Sequence, residues 1–138
     1  MEANPKMRYI TVMLEEDAPK LFGLDKINES EPIYIVEGPI DSLFLDNSVA
    51  MAGSDVDIRT FGWRDYIWVY DNEPRSKQIT DKLSKSIDHG DKVVIWPTRI
   101  EQKDINDMSN AGINVQSVVQ SNVYQGLKAK LKLSDWKV

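Results

Sequence analysis

Two apolar runs in this chain, Ile33-Tyr34-Ile35-Val36 and Tyr66-Ile67-Trp68-Val69-Tyr70, are each cut off abruptly by acids. The first passes into Glu37-Gly38 with Asp41 close behind, the second into Asp71-Asn72-Glu73. Short continuous apolar runs rich in β-branched and aromatic residues read as buried strands. In an open parallel sheet the carboxyl ends of the strands share one rim, and ligands bind in the crevice outside it. Carboxylates collected there repel one another unless a cation or protons lie between them. The pattern predicts an α/β sheet with an acidic rim suited to a magnesium-type ion and phosphates.

The 138 residues amount to one domain, large enough for a real core. A hydrophobic content of 41% against 28% charged residues is that of an ordinary globular protein. No stretch reaches the roughly 20 apolar residues of a membrane helix, and the start lacks the basic and apolar regions of a secretory signal. The absence of cysteine excludes disulfides and thiolate zinc sites. An intracellular setting is therefore expected. The net charge of −5 argues against a free-standing nucleic-acid binder, which usually carries a basic face. Residues 125–138, however, hold Lys128, Lys130, Lys132 and Lys137 against Asp135, which leaves the acidity to the rest of the chain. A body of that sign meets nucleic acid only with magnesium or a basic partner to offset repulsion.

Along the chain, Tyr9–Leu14 reads as a strand or edge segment, and residues 15–32 as an irregular connector punctuated by Pro19, Gly23 and Pro32. Strand 33–37 precedes a helix opening at Pro39, where a missing amide proton costs nothing. Ile40, Leu43 and Phe44 then share one face. Val49–Ala52 reads as a short buried strand ending at Gly53-Ser54, and strand 66–70 follows a polar linker. From Arg75 to Asp88 the pattern is helical, with Ile79, Leu83 and Ile87 on one stripe and His89-Gly90 as its C-cap. Lys92–Trp96 is the last clear strand, halted by Pro97. A short segment around Asp104–Asn110 and helices over about 114–121 and 124–136 complete the reading. Strands alternating with helices imply about four mostly parallel strands flanked by helices, with C-terminal helices.

Magnesium takes hard oxygen ligands, usually one or two carboxylates with waters and substrate phosphates. Asp71 and Glu73 are two apart, so an extended segment points both to one side. Glu37 arrives from another strand end, and Gly38 permits a sharp turn or a close ligand approach. Two carboxylates for metal and one near the reacting oxygen suit phosphoryl or nucleotidyl transfer. Taken singly, each acid equally suits a helix cap or turn, and Asp41 also favours the helix dipole.

These residues resemble the Toprim domain of bacterial-type primases, topoisomerases and some nucleases. Its first motif is similar to Glu37-Gly38 with Asp41, and its Asp-x-Asp motif to Asp71-Asn72-Glu73. The family's short Val-Ala strand ending in Gly-Ser or Gly-Thr looks like Val49-Ala50 through Gly53-Ser54. Its proline-ended strand and Lys-Asp element look like Trp96-Pro97 and Lys103-Asp104 with Asn106-Asp107. The wording from Ile35 to Leu45, with Pro19–Gly23 and Tyr124–Leu127, is closer still to primases of T-even-type bacteriophages. The resemblance implies a Toprim (Rossmann-like) core over 33–112, preceded by an N-terminal strand and connector (1–32) and followed by a helical tail (113–138).

On that resemblance, Glu37 is the catalytic acid/base or a metal-bridging carboxylate. Asp71 and Glu73 hold magnesium, for which manganese can substitute, and all three count as catalytic. Gly38, Asp41, Arg75, Lys103 and Asp104 are supporting or phosphate-side residues. Two positions depart from the family: Glu73 stands where it has Asp, and Pro74-Arg75 replaces its Gly-containing turn. The implied reaction is nucleotidyl transfer, making RNA primers on a single-stranded DNA template from ribonucleotides, in the cytoplasm of a bacterial host. Such primases carry a zinc-binding module and a basic subdomain ahead of this region, so the chain reads as a carboxyl-terminal portion, inactive alone, whose partners are that missing portion and a replicative helicase. No membrane partner is expected. Rival readings are a Toprim nuclease and a non-catalytic helicase-docking module; a phospho-receiver lacks support, because Tyr9–Leu14 runs into a stretch of surface acids at 15–17 with no later matching pattern.

Among other residues, Trp68 and Trp96 read as sheet residues. Trp63 reads as a loop anchor, with base stacking beside Arg59 and Arg64 as the alternative. His89 sits at a helix end, away from chemistry. Tyr124, Leu127 and Leu131 form a stripe that either packs on the domain or serves as a docking face.

Overall fold

The structure, a computed structural model, describes residues 21–138. The expected strand at Tyr9–Leu14 lies outside the described residues. Among the described residues five strands form one sheet: β1 (Ile33–Val36), β2 (Ser48–Ala50), β3 (Tyr66–Val69), β4 (Lys92–Val94) and β5 (Val123–Tyr124), in the order β2-β1-β3-β4-β5. The first four pair in parallel, and only β5 runs antiparallel, against β4. Helices α1 (Pro39–Ser42), α2 (Lys77–Asp88), α3 (Ile105–Asn110), α4 (Val115–Ser121) and α5 (Gly126–Trp136) flank it. The α/β expectation holds, and the architecture is consistent with a Toprim or Rossmann-like fold. The added edge strand is the difference: two residues, too short to leave a periodic mark, pair where a helix was expected to begin.

Strand order determines where the site can lie. The chain leaves β1 through α1 for β2 on one side, then returns to β3 on the other side of β1. That reversal opens a crevice at the carboxyl ends of β1 and β3. Val36 pairs with Val69, so Glu37 and Tyr70 leave the sheet side by side, and Asp71 follows one residue later.

Pairing also sorts the core. Ile33, Ile35, Val49, Tyr66 and Trp68 share one face through their register, and Tyr34, Val36, Ala50, Ile67 and Val69 share the other. Leu21, Met51, Ile58 and Trp63 cover part of the first face. On that face Tyr70 also meets α2, its hydroxyl 2.9 Å from Ser86 Oγ. Helix α2 forms as expected because Ser76 caps it, accepting from the Ile79 amide, and because Ile79, Leu83 and Ile87 are all buried. Each such burial stabilises by about 1.5–3 kcal/mol. His89 and Gly90, the latter at φ 88°, end it.

Three local expectations change. Helix α1 lasts a single turn, so Ile40 and Phe44 stay exposed, and Ser42 and Leu45 go inward instead. The polar linker hides a 3-10 turn at Ile58–Phe61, which lets Trp63 stack on Phe61 (centroids 4.8 Å apart) as a buried loop anchor. In α5 the buried face is Ala129, Leu133 and Trp136, whereas Leu127 and Leu131 are 71% and 61% exposed. Because this helix starts at Gly126 rather than 124, the Tyr124 stripe does not define its inner face.

Candidate metal and phosphate site

Asn72, between the two acids, builds the site. In an extended segment the middle residue points opposite to its neighbours, and Asn72 is indeed buried. Its side-chain amide donates to the carbonyls of Ile100 (2.9 Å) and Gln102 (3.0 Å), and its backbone N–H to that of Lys103 (2.6 Å). The 100–104 loop is thereby latched to the end of β3, bringing Lys103 and Asp104 beside Asp71 and Glu73. Trp96 adds a second latch, donating from Nε1 to the Tyr70 carbonyl at 2.8 Å. Sequence reasoning passed over Asn72, although its place between two same-side acids was a usable signal.

Around this latch the acids gather. Asp41 Oδ1 accepts from the Asn106 amide at 3.1 Å, tying α1 to the start of α3. Gly38 caps α1 in extended conformation, and a Cβ there would lie 3.2 Å from Asp41 Oδ2. The glycine thus leaves room for Asp41 to fold back over the helix start. Asp104 caps α3, accepting from the Asp107 amide at 2.8 Å. Glu73 meets Lys103 Nζ at 3.4 Å. Arg75 is exposed and pairs with no carboxylate among the described residues.

Electrostatics register the crowding. Burial first, then the charges of Asp41, Asp104 and Glu73, push the Asp71 carboxyl up to about 6, against a smaller opposing pull from Lys103. Among the described residues the Asp71 carboxylate has no hydrogen-bond or ion-pair partner. Burial also raises Asp41, with Asp104 and Asp107 adding to it and the Asn106 amide working against it.

Glu37 stands apart from this group. It follows Val36 on the opposite pleat from Asp71, and its Oε1 pairs with Lys82 Nζ of α2 at 3.2 Å. Glu37 and Asp71 therefore leave the rim on opposite faces of the sheet. Lys82 was not singled out from sequence, where it is one of several charges off the buried stripe of α2. In the loop after β2 the Ser54 hydroxyl is buried without a hydrogen-bond partner among the described residues.

Among the described residues no three acids or histidines form a ready metal cage. Magnesium seldom uses one, keeping waters and substrate phosphates as ligands. Hard carboxylate oxygens, one of them unpartnered and held back from ionising by its neighbours, suit such a cation, and Lys103 brings a positive charge beside Glu73.

Fold and rim together define a mostly parallel α/β domain with an acidic crevice at its topological switch point. Comparison with known proteins takes this further. No protein-family model matches the chain. It is similar to the DNA primase of Enterobacteria phage T4, with 32% identity over 142 residues that cover 99% of the chain. The chain spans 41% of that primase's length. This similarity supports reading the chain as a portion of a T4-type phage primase, the group its sequence resembles. No helix among the described residues is long and apolar enough to cross a membrane.

Proposed function

We propose that this chain is the metal-binding, Toprim-type part of a phage DNA primase, acting in the host cytoplasm to join ribonucleotides on single-stranded DNA. The observation that carries the reading is the crowding of Asp41, Glu73 and Asp104 around an unpartnered Asp71 at the crevice. Asp71 and Glu73 would hold magnesium, or manganese in its place. The bound cation would neutralise phosphate charge and act as a Lewis acid. Lys103, reaching from the latched loop, turns towards the nucleotide's phosphates. Across the strand ends, Lys82 holds Glu37, which would serve as the acid/base that takes the proton of the attacking hydroxyl. Gly38 keeps the floor of the crevice low, and Asp41 and Asp104 orient α1 and α3 around it. Arg75 is free to meet a phosphate.

Proteins that act on nucleic acid offset such acidity with a basic partner. A zinc-binding and basic portion of the kind that the resemblance implies would supply that here. The exposed Leu127 and Leu131, flanked by Lys128 and Lys132, offer a docking face for that portion or for a replicative helicase. With such a portion supplied, Glu37→Gln and Asp71→Asn should each abolish primer synthesis while circular dichroism stays unchanged. Full synthesis by either variant refutes the role given to that residue, and cleavage of labelled single-stranded DNA in place of nucleotide addition favours a nuclease.

A further inference from the structure

The covers on the first face of the sheet leave a gap over β3. On one side lie Ile58 and Trp63, on the other α2, and between them Tyr66 and Trp68 are only half-buried. The gap is a groove of about 190 Å³, floored by Tyr66, Trp68 and Tyr70 and edged by Arg59, Lys82 and Lys85. That volume is below the roughly 300 Å³ at which pockets for whole drug-sized ligands begin. It suits one planar ring.

We infer that this groove binds an unpaired nucleotide of a single-stranded nucleic acid, its base against Trp68 and its phosphate towards Lys85. The aromatic floor is held in place before any ligand arrives. Asp91 accepts from the Tyr66 hydroxyl at 2.9 Å and from Trp68 Nε1 at 3.1 Å, and the Trp68 and Tyr70 rings lie parallel within 3°. Fixed rings lose little freedom on binding, and stacking accepts any base.

The charges fit as well. Arg59 is paired with Asp57 at 3.2 Å and Lys82 with Glu37, while Asp91 is occupied by its two donors. Lys85 has no ion-pair partner among the described residues, and His89 lies beside it on the groove's edge. The groove thus presents a free cation on a chain whose net charge is −5. Because Lys82 lines it and touches Glu37, it opens beside the proposed acid/base. Its ligand is argued from its own lining, and it rests on the nucleotidyl-transfer reading only for what the bound strand is used for.

Titration of the whole chain with an eight-nucleotide oligothymidylate, in chelator and without divalent metal, reads the groove alone. Trp63, Trp96 and Trp136 are buried, so quenching of indole fluorescence reports on Trp68. Saturable quenching is expected, with Trp68→Leu weakening binding, followed by anisotropy of a labelled strand, by about 5- to 150-fold. Lys85→Gln, an exposed change that leaves the fold intact, should weaken binding and lower the slope of log K against log salt by about 0.7. No quenching, equal quenching by pyrophosphate, or an unchanged salt slope in Lys85→Gln would each overturn the inference. Full primer synthesis by Asp71→Asn with the groove still binding would count against the rim instead.

Discussion

Replacing Asp71 by asparagine should stabilise the protein at neutral pH in the absence of divalent ions. The folded-state carboxyl holds its proton up to about 6, against an ordinary value of 3.8. Between those pH values the folded state binds more protons than the unfolded one, so stability falls as pH rises through the interval and is flat above it. The gap corresponds to about 3 kcal/mol at most. Partial solvent access and screening reduce this to about 1–2 kcal/mol, a rise in Tm of roughly 4–8 °C. Asparagine keeps the shape and cannot ionise. Thermal unfolding at pH 7.5 and pH 3.5 measures the effect: the gain should appear at the higher pH and vanish at the lower, where the wild-type carboxyl is protonated in both states. Saturating magnesium should then raise the Tm of the wild type and leave the variant nearly unmoved. A variant less stable at pH 7.5, or equally stabilised at both pH values, would refute the claim that ionised Asp71 is held against its own preference.

Two further outcomes follow from the packing. Asn72→Ala strands the carbonyls of Ile100 and Gln102, which should cost about 1–3 kcal/mol in urea unfolding and raise amide exchange through residues 100–104; unchanged exchange there would mean the latch does not hold that loop. Leu83→Ala, at a side chain 1% exposed, should cost about 2–5 kcal/mol, and a loss under 1 kcal/mol would show α2 to be loosely seated.

The parts of the fold legible in sequence were those with strong periodicity or sharp composition. Strands β1 and β3 declared themselves as unbroken apolar runs, and α2 by its stripe of three residues spaced four apart and the glycine after it. Helix α1 misled, because a proline start and an apolar trio resemble a longer helix, whereas the chain turns away after Ser42. Strand β5 had no signal, since two residues cannot show alternation. In α5 small Ala129 rather than Leu131 faces the core, a choice set by proximity to α2 and invisible to hydrophobicity. At the site, the acids and their order were legible. What the sequence withheld was the side of the sheet each acid takes, because that depends on register between β1 and β3. Lys82 was withheld for a similar reason: its pairing with Glu37 is a contact between elements 45 residues apart.

Manganese titration followed by residue-resolved NMR is the most direct test of the acidic crevice as a cation site. Paramagnetic broadening should begin at the amides of Asp71, Asn72 and Glu73, spread to Asp41 and Asp104, and disappear in Asp71→Asn. Broadening confined to other surface carboxylates, or unaffected by that substitution, would contradict the account.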